Sequence, residues 1–202
     1  MSNRREFFNA AADTWDERFQ NQELTNFLSQ LVPTFQLKQG QKVLDVGTGT
    51  GLLVPFLVEA VGSTGQVTAI DFAEKMVKVC KAKYANLPNV TVLVQQVEKL
   101  DLYSGTFDAV TCFGLFPHLE NKKEALNQIN RVLKPGGKLI IAHALSSMEL
   151  DAHHRNSSAV AHDVLPNEFE MKRLLKQAGF TGIQIADKLG SYVCLSTKPP
   201  TY

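Results

Sequence analysis

Asp45, Gly47, Gly49 and Gly51 stand at alternate positions directly after the apolar pair Val43-Leu44. Glycines at such a turn remove Cβ atoms, so a ligand can lie against bare backbone. A carboxylate at position 45 would repel a pyrophosphate and suits a ligand carrying an ammonium group. A nicotinamide site built on G-x-G-x-x-G needs its third glycine at position 52, which is Leu52; Gly51 comes one residue early. Asp71 lies twenty residues beyond Gly51, where a carboxylate at a strand end can accept hydrogen bonds from both hydroxyls of a ribose. The same residue can instead cap the helix that follows. Phe72 beside it can pack on an adenine face or belong to the core. His118 and His143 have the side chain whose ordinary pKa suits proton transfer near neutrality; each can equally be a buried or capping histidine.

The segment 150–163 holds His153, His154 and His162, and with His143 it places four of the five histidines within twenty residues. It can be a solvated loop, a lid over a bound acceptor, or a metal site. Successive helical residues point about 100° apart, so His153 and His154 do not share one ion from a helix. His154 and His162 lie two turns apart, too far for ordinary paired ligation, and no metal ligands are assigned.

These groups need strands that deliver them to one rim. Apolar runs predict strands at Val43–Val46, Gln66–Ile70, Val90–Val94, Phe107–Cys112 and Lys138–His143. Helices are expected over Gly51–Val61, Ala73–Tyr84, Lys122–Leu133 and Asn167–Ala178. Pro55 is tolerable because it falls near a helix start. Phe7, Phe8, Ala11, Trp15 and Phe19 recur at helical spacing, and residues 4–32 read as two helices. Residues 145–166 read as polar and irregular. Ile183–Leu189 and Tyr192–Thr197 end the chain as a strand pair. Five strand–helix alternations followed by two strands imply an α/β fold with a parallel sheet and an antiparallel hairpin at one edge. Ligands of such sheets bind beyond the carboxyl ends of the strands.

The chain has 202 residues and a formal charge of +1, which suits one domain and gives no electrostatic reason to expect nucleic acid or an acidic membrane surface. No apolar run approaches a membrane span or a signal-peptide core. Cys80, Cys112 and Cys194 are odd in number and far apart, the pattern of reduced thiols in a cytoplasmic protein rather than of a disulfide framework.

Four segments in order resemble class I S-adenosylmethionine (SAM) methyltransferases: Val43–Gly51, Ala69–Met76, Phe107–Cys112, and Arg131–Ile140 with its Lys134-Pro-Gly-Gly137 turn. The opening Phe7–Asp16 is similar to the helical entry of the small-molecule enzymes related to the ubiquinone and menaquinone C-methyltransferases. The resemblance implies a Rossmann-like three-layer sandwich with a mostly parallel seven-stranded sheet. It implies that residues 1–202 are a single domain with a helical cap at 1–32 and a candidate substrate lid at 145–166. It further implies that Gly47, Thr48, Gly49 and Gly51 approach the methionine part of SAM, with Asp45 near its ammonium. Asp71 would hold the ribose, Phe72 and Met76 would flank the adenine, and Gln96 and Val97 would meet its edge. Cys112 would offer its carbonyl to the ammonium. The position of Gln96 is often Asp in these enzymes; Gln also accepts from the adenine amine.

The expected reaction is in-line transfer of a methyl group to a small-molecule acceptor, with His118 and His143 as candidate bases. Trp15, His153, His154 and His162 are candidate acceptor contacts. A SAM-binding protein without transfer activity and a nicotinamide-dependent oxidoreductase are the alternatives. The acceptor and the oligomeric state are not written in these motifs.

Overall fold

Val43, Leu44 and Val46 are all buried, so β1 (Lys42–Val46) forms as the interior strand that its apolar run predicts. The computed structural model of the protein describes residues 2–19, 21–155 and 163–200, the side chains of residues 2, 3 and 19 excepted. Seven strands make one sheet in the order β3 (Val90–Val94), β2 (Gln66–Asp71), β1, β4 (Phe107–Phe113), β5 (Leu133–His143), β7 (Ser191–Thr197), β6 (Thr181–Lys188), the mostly parallel α/β arrangement expected. Two compact units divide the chain, one ending at Gln96 and one beginning at Val97.

In the first unit, β2 (Gln66–Asp71) pairs in parallel with β1 and with β3 (Val90–Val94), Asp71 lying opposite Val94. Helix α4 (Val54–Val61) follows β1, and α5 (Glu74–Lys83) follows β2. The first of these starts three residues later than the periodicity suggests, because the chain through Gly51 is a turn with φ of 89° there. Pro55 then falls in the first turn, where its missing N–H costs nothing. Val54, Ala69, Val77, Cys80 and Val92 form the core between helices and strands.

The N-terminal segment makes three helices rather than two: α1 (Ser2–Ala11), α2 (Trp15–Phe19) and α3 (Gln22–Thr34). The extra break is the 3-10 turn Ala12–Thr14, which splits the periodic stretch into α1 and α2, and the cap of α3 is Asn21. Its side chain accepts from Leu24 N–H at 2.8 Å and starts a new helix. Helix α1 is tied to α5 by Arg5–Glu74 at 3.1 Å and by Asn9, which donates to Glu74 at 3.0 Å and accepts from Lys75 N–H at 2.9 Å. Beneath these polar ties, Phe8, Trp15 and Phe72 pack around Ala12, Ala73 and Met76.

In the second unit, β4 (Phe107–Phe113) and β5 (Leu133–His143) pair in parallel. The Pro-Gly-Gly turn is absorbed as a register shift at the start of β5, so the strand begins earlier than Lys138. β7 (Ser191–Thr197) runs antiparallel to β5, placing Tyr192 opposite His143, and closes a hairpin with β6 (Thr181–Lys188). Helices α6 (Lys122–Val132) and α8 (Glu168–Gln177) are capped by Asn121 and Asn167, which accept from Glu124 N–H at 3.0 Å and Glu170 N–H at 2.9 Å.

The irregular course expected for residues 145–166 is corrected in part by α7 (Ser147–Arg155). Its cause is a capping box at Ser146-x-x-Glu149. The Glu149 carboxylate accepts from Ser146 N–H at 2.8 Å, and Ser146 Oγ accepts from Glu149 N–H at 3.3 Å. Leu150 and His154, one turn apart, then turn inward together. His162 lies outside the described residues. No helix among the described residues is long and apolar enough to cross a membrane.

Candidate active site

The turn after β1 is held by the strand beside it. Gly47 and Thr48 N–H both donate to Ile70 carbonyl, at 2.8 and 2.9 Å. The next amide, Gly49 N–H, donates to Asp71 Oδ2 at 2.9 Å, while Asp71 Oδ1 accepts from Ala73 N–H at 2.9 Å. Asp71 thus joins the glycine turn to the start of α5, combining a capping contact with a grip on the turn. Burial pushes its carboxyl above the usual range, and the Ala73, Gly49 and Phe72 amides pull it back. Each carboxylate oxygen has a second lone pair, so both amide bonds leave capacity for further donors. Gln95 N–H donates to Asp71 carbonyl at 2.9 Å, which brings the segment ending at Gln96 alongside.

Gly51 admits no side chain. A Cβ there would lie 2.5 Å from Tyr84 Cε2 and 2.7 Å from Cys80 Sγ, and Tyr84 OH donates to Gly51 carbonyl at 2.7 Å. Burial raises the Cys80 thiol to about 12, with the charge of Asp45 adding to it, so this thiol stays protonated and acts as packing. From the N-terminal helices, Asp16 accepts from Thr50 Oγ1 at 2.6 Å and from Lys83 Nζ at 2.9 Å. Trp15 Nε1 lies 3.7 Å from where a Gly49 Cβ would be. The helical entry is therefore fastened to the glycine turn itself, through a residue, Asp16, that the sequence did not single out. Asp45 is buried, Met76 is core, and Phe72 is half-buried and edge-on to Phe8 at 5.8 Å.

The second unit brings three of the predicted histidines together. His118 closes a short turn (Phe116–His118) after β4, His143 ends β5, and His154 is on α7. His118 Nδ1 meets Asp163 Oδ2 at 2.7 Å, His154 Nδ1 meets Asp163 carbonyl at 2.5 Å, and the two rings are 5.1 Å apart. Asp163 was missed because it has no motif. His153 is exposed, its ring 6.1 Å from that of His154. Cys112 is buried in β4 and Val97 is buried in the 3-10 turn Val97–Lys99. Among the described residues, no group of three or more His, Cys, Asp or Glu is placed to hold a metal ion.

A family profile for methyltransferase domains matches residues 37–181. The chain belongs to this methyltransferase family. It is 30% identical over 184 residues to a demethylmenaquinone methyltransferase of Staphylococcus aureus strain JH9, covering 79% of this chain and 76% of that one. A demethylmenaquinone methyltransferase of strain MRSA252 is 44% identical over 105 residues, a stretch that is 52% of this chain and 43% of the relative. Among solved structures, a SAM-dependent methyltransferase from Aquifex aeolicus superposes with a TM-score of 0.69 at 29% identity, covering 85% of this chain and 89% of the other. Phosphoethanolamine N-methyltransferase 2 of Haemonchus contortus, in complex with SAM, shares the fold with a TM-score of 0.79 at 17% identity, over 95% of this chain and 57% of that one.

The methyltransferase's cofactor is SAM, and the first unit fits it. A positive-φ turn with no Cβ at Gly47, Gly49 and Gly51, a buried carboxylate at Asp45 and a second at Asp71 match a ligand with an ammonium and a ribose. With this membership the oxidoreductase alternative is set aside.

His143 carries a consequence for stability. Burial, reinforced by charge on His118 and His154, lowers its pKa from 6.5 to about 3. Its Nε2 is buried with no hydrogen-bond partner among the described residues. As pH falls below 6.5, the unfolded chain binds a proton here and the folded chain does not, so stability falls by up to about 1.4 kcal/mol per pH unit. Urea unfolding should show about 2 kcal/mol of this loss between roughly pH 7.5 and pH 5. His143→Gln, neutral throughout, should flatten the dependence by that amount; an unchanged slope would contradict the assignment.

Proposed function

We propose that this methyltransferase carries the methyl group of SAM to a small hydroxylated organic acceptor, with the first unit holding the cofactor. The observation that carries this is Asp71, buried yet bonded to Gly49 and Ala73 amides, which sets a carboxylate beside a turn stripped of side chains. In this reading Gly47, Thr48, Gly49 and Gly51 line the methionine part, Asp45 faces its ammonium and Asp71 accepts from the ribose. Phe72 flanks the adenine with Met76 packed beneath, Gln96 and the Val97 amide meet its edge, and the Cys112 carbonyl accepts from the ammonium. When bound, SAM supplies a methyl group on a sulfonium, already activated for displacement. The chain's share is then to align the acceptor, exclude water and receive any proton the acceptor releases.

Residues 1–32 and 145–166 are assigned to covering the acceptor. Support comes from Trp15, which approaches Gly49, and from the inward-turned Leu150 and His154 of α7. The near-neutral charge supports a small molecule over nucleic acid. The relatives named for demethylmenaquinone support a hydroxylated aromatic, a quinol, as the acceptor class. Three separate buried thiols support a reducing, cytoplasmic setting. One sheet running through all seven strands supports a single catalytic domain.

Calorimetry should show binding of SAM and S-adenosylhomocysteine and none of NAD or NADP. Trp15, the only tryptophan, should change its fluorescence when SAM binds. Radiolabelled methyl from SAM should pass to demethylmenaquinone reduced with dithionite. Nicotinamide binding without SAM binding would overturn the cofactor assignment, and a salt-sensitive shift of RNA or DNA would overturn the small-molecule acceptor.

A further inference from the structure

His118 is placed differently from the other two histidines of its cluster. His143 and His154 are buried, whereas the His118 side chain keeps 17% of its surface exposed above an Asp163 carboxylate at 1%. A carboxylate accepts hydrogen bonds and does not donate them, so the 2.7 Å contact puts the proton on His118 Nδ1 and the lone pair on Nε2. Asp163 is itself gripped from a second side, its carbonyl accepting from His154 Nδ1–H at 2.5 Å. The backbone around His118 is pinned as well. Lys122 Nζ donates to the carbonyls of Pro117 and Leu119, the two neighbours of His118, at 3.0 and 3.1 Å. An imidazole with a set tautomer, an oriented ring and an outward face is what proton abstraction requires. His143 is sealed in the interior and has no such face.

We propose that His118 is the catalytic base of the methyl transfer and that Asp163 is its positioning residue, serving acceptors that must lose a proton from a hydroxyl or an activated ring carbon. This rests on the methyl-transfer reading above. The acceptor proton passes to His118 Nε2, and the electron pair so released, directly or through the ring, forms the bond to the methyl carbon. The sulfur–methyl bond breaks with its pair leaving on sulfur, giving S-adenosylhomocysteine. His118, now an imidazolium held by Asp163, returns its proton to water.

The test uses the full chain with nitrogen-labelled histidine, and the reduced demethylmenaquinone as acceptor. NMR of the neutral form should show His118 with its proton on Nδ1. Asp163→Asn should loosen that tautomer preference and lower kcat, with the calorimetric affinity for SAM unchanged. His118→Asn should reduce kcat on the order of a hundredfold or more, while the calorimetric affinity for SAM stays within about twofold, which also verifies folding. Unchanged kcat in His118→Asn, or a His118 tautomer indifferent to Asp163→Asn, would overturn the proposal. A wild-type chain that binds SAM and shows the Asp163-dependent tautomer but does not methylate the quinol would support the dyad and refute the quinol acceptor instead.

Discussion

Asp71→Ala is expected to weaken SAM binding by about 1.5–3 kcal/mol, the scale of hydrogen bonds to a charged group. The loss has two sources in this structure. On the proposed placement of SAM, donors on the ribose would lose their acceptor, and the Gly49 and Ala73 amides, each 2.9 Å from the carboxylate, would lose theirs. The second loss acts before any ligand arrives, because an amide left without its acceptor no longer fixes the turn. Urea unfolding should therefore register a further destabilisation, about 1–3 kcal/mol for each amide left buried and unsatisfied. Asp71→Asn keeps one accepting oxygen and should fall between the parent and Asp71→Ala in both measurements. A folded Asp71→Ala protein with full SAM affinity would reduce this residue to a helix cap.

Gly51→Ala should destabilise the fold by about 2–4 kcal/mol and weaken SAM binding with it. The φ of 89° at Gly51 is strained for any residue with a Cβ. The added methyl would also overlap Tyr84 Cε2 at 2.5 Å and Cys80 Sγ at 2.7 Å. Neither neighbour yields easily: Cys80 is in the core, and Tyr84 is anchored by its hydroxyl on the Gly51 carbonyl. Adding Tyr84→Leu should recover part of the overlap cost and none of the backbone cost. The double variant should thus be more stable than the two single losses added together. Gly51→Ala with parental stability would show that the turn relaxes freely and does not depend on the glycine.

The succession of strands and helices and the family were legible because they rest on local patterns. An apolar run ending in alternate glycines says strand, then turn, whatever lies elsewhere, and five repetitions of strand then helix restrict the sheet to few topologies. The start of α7 was equally local, since Ser146 and Glu149 form a capping box, but the polar character of the segment hid it. Asn21 gave a similar local signal for the start of α3.

The histidines mark the limit of that legibility. By type and spacing His118 and His143 are alike, each following a strand that ends at the same rim. Their surroundings diverge because β7 lays Tyr192 opposite His143, which is buried, while Asp163, forty-five residues along the chain, folds back onto His118. Asp16 reaches Thr50 across thirty-four residues in the same way. Sequence by itself determined the class of fold, the glycine turn and the cofactor, since these depend on backbone conformations that neighbouring residues dictate. Tertiary structure alone decided which imidazole is held by a carboxylate and which is sealed from water, because solvation and charge at a side chain are set by whatever the fold packs against it.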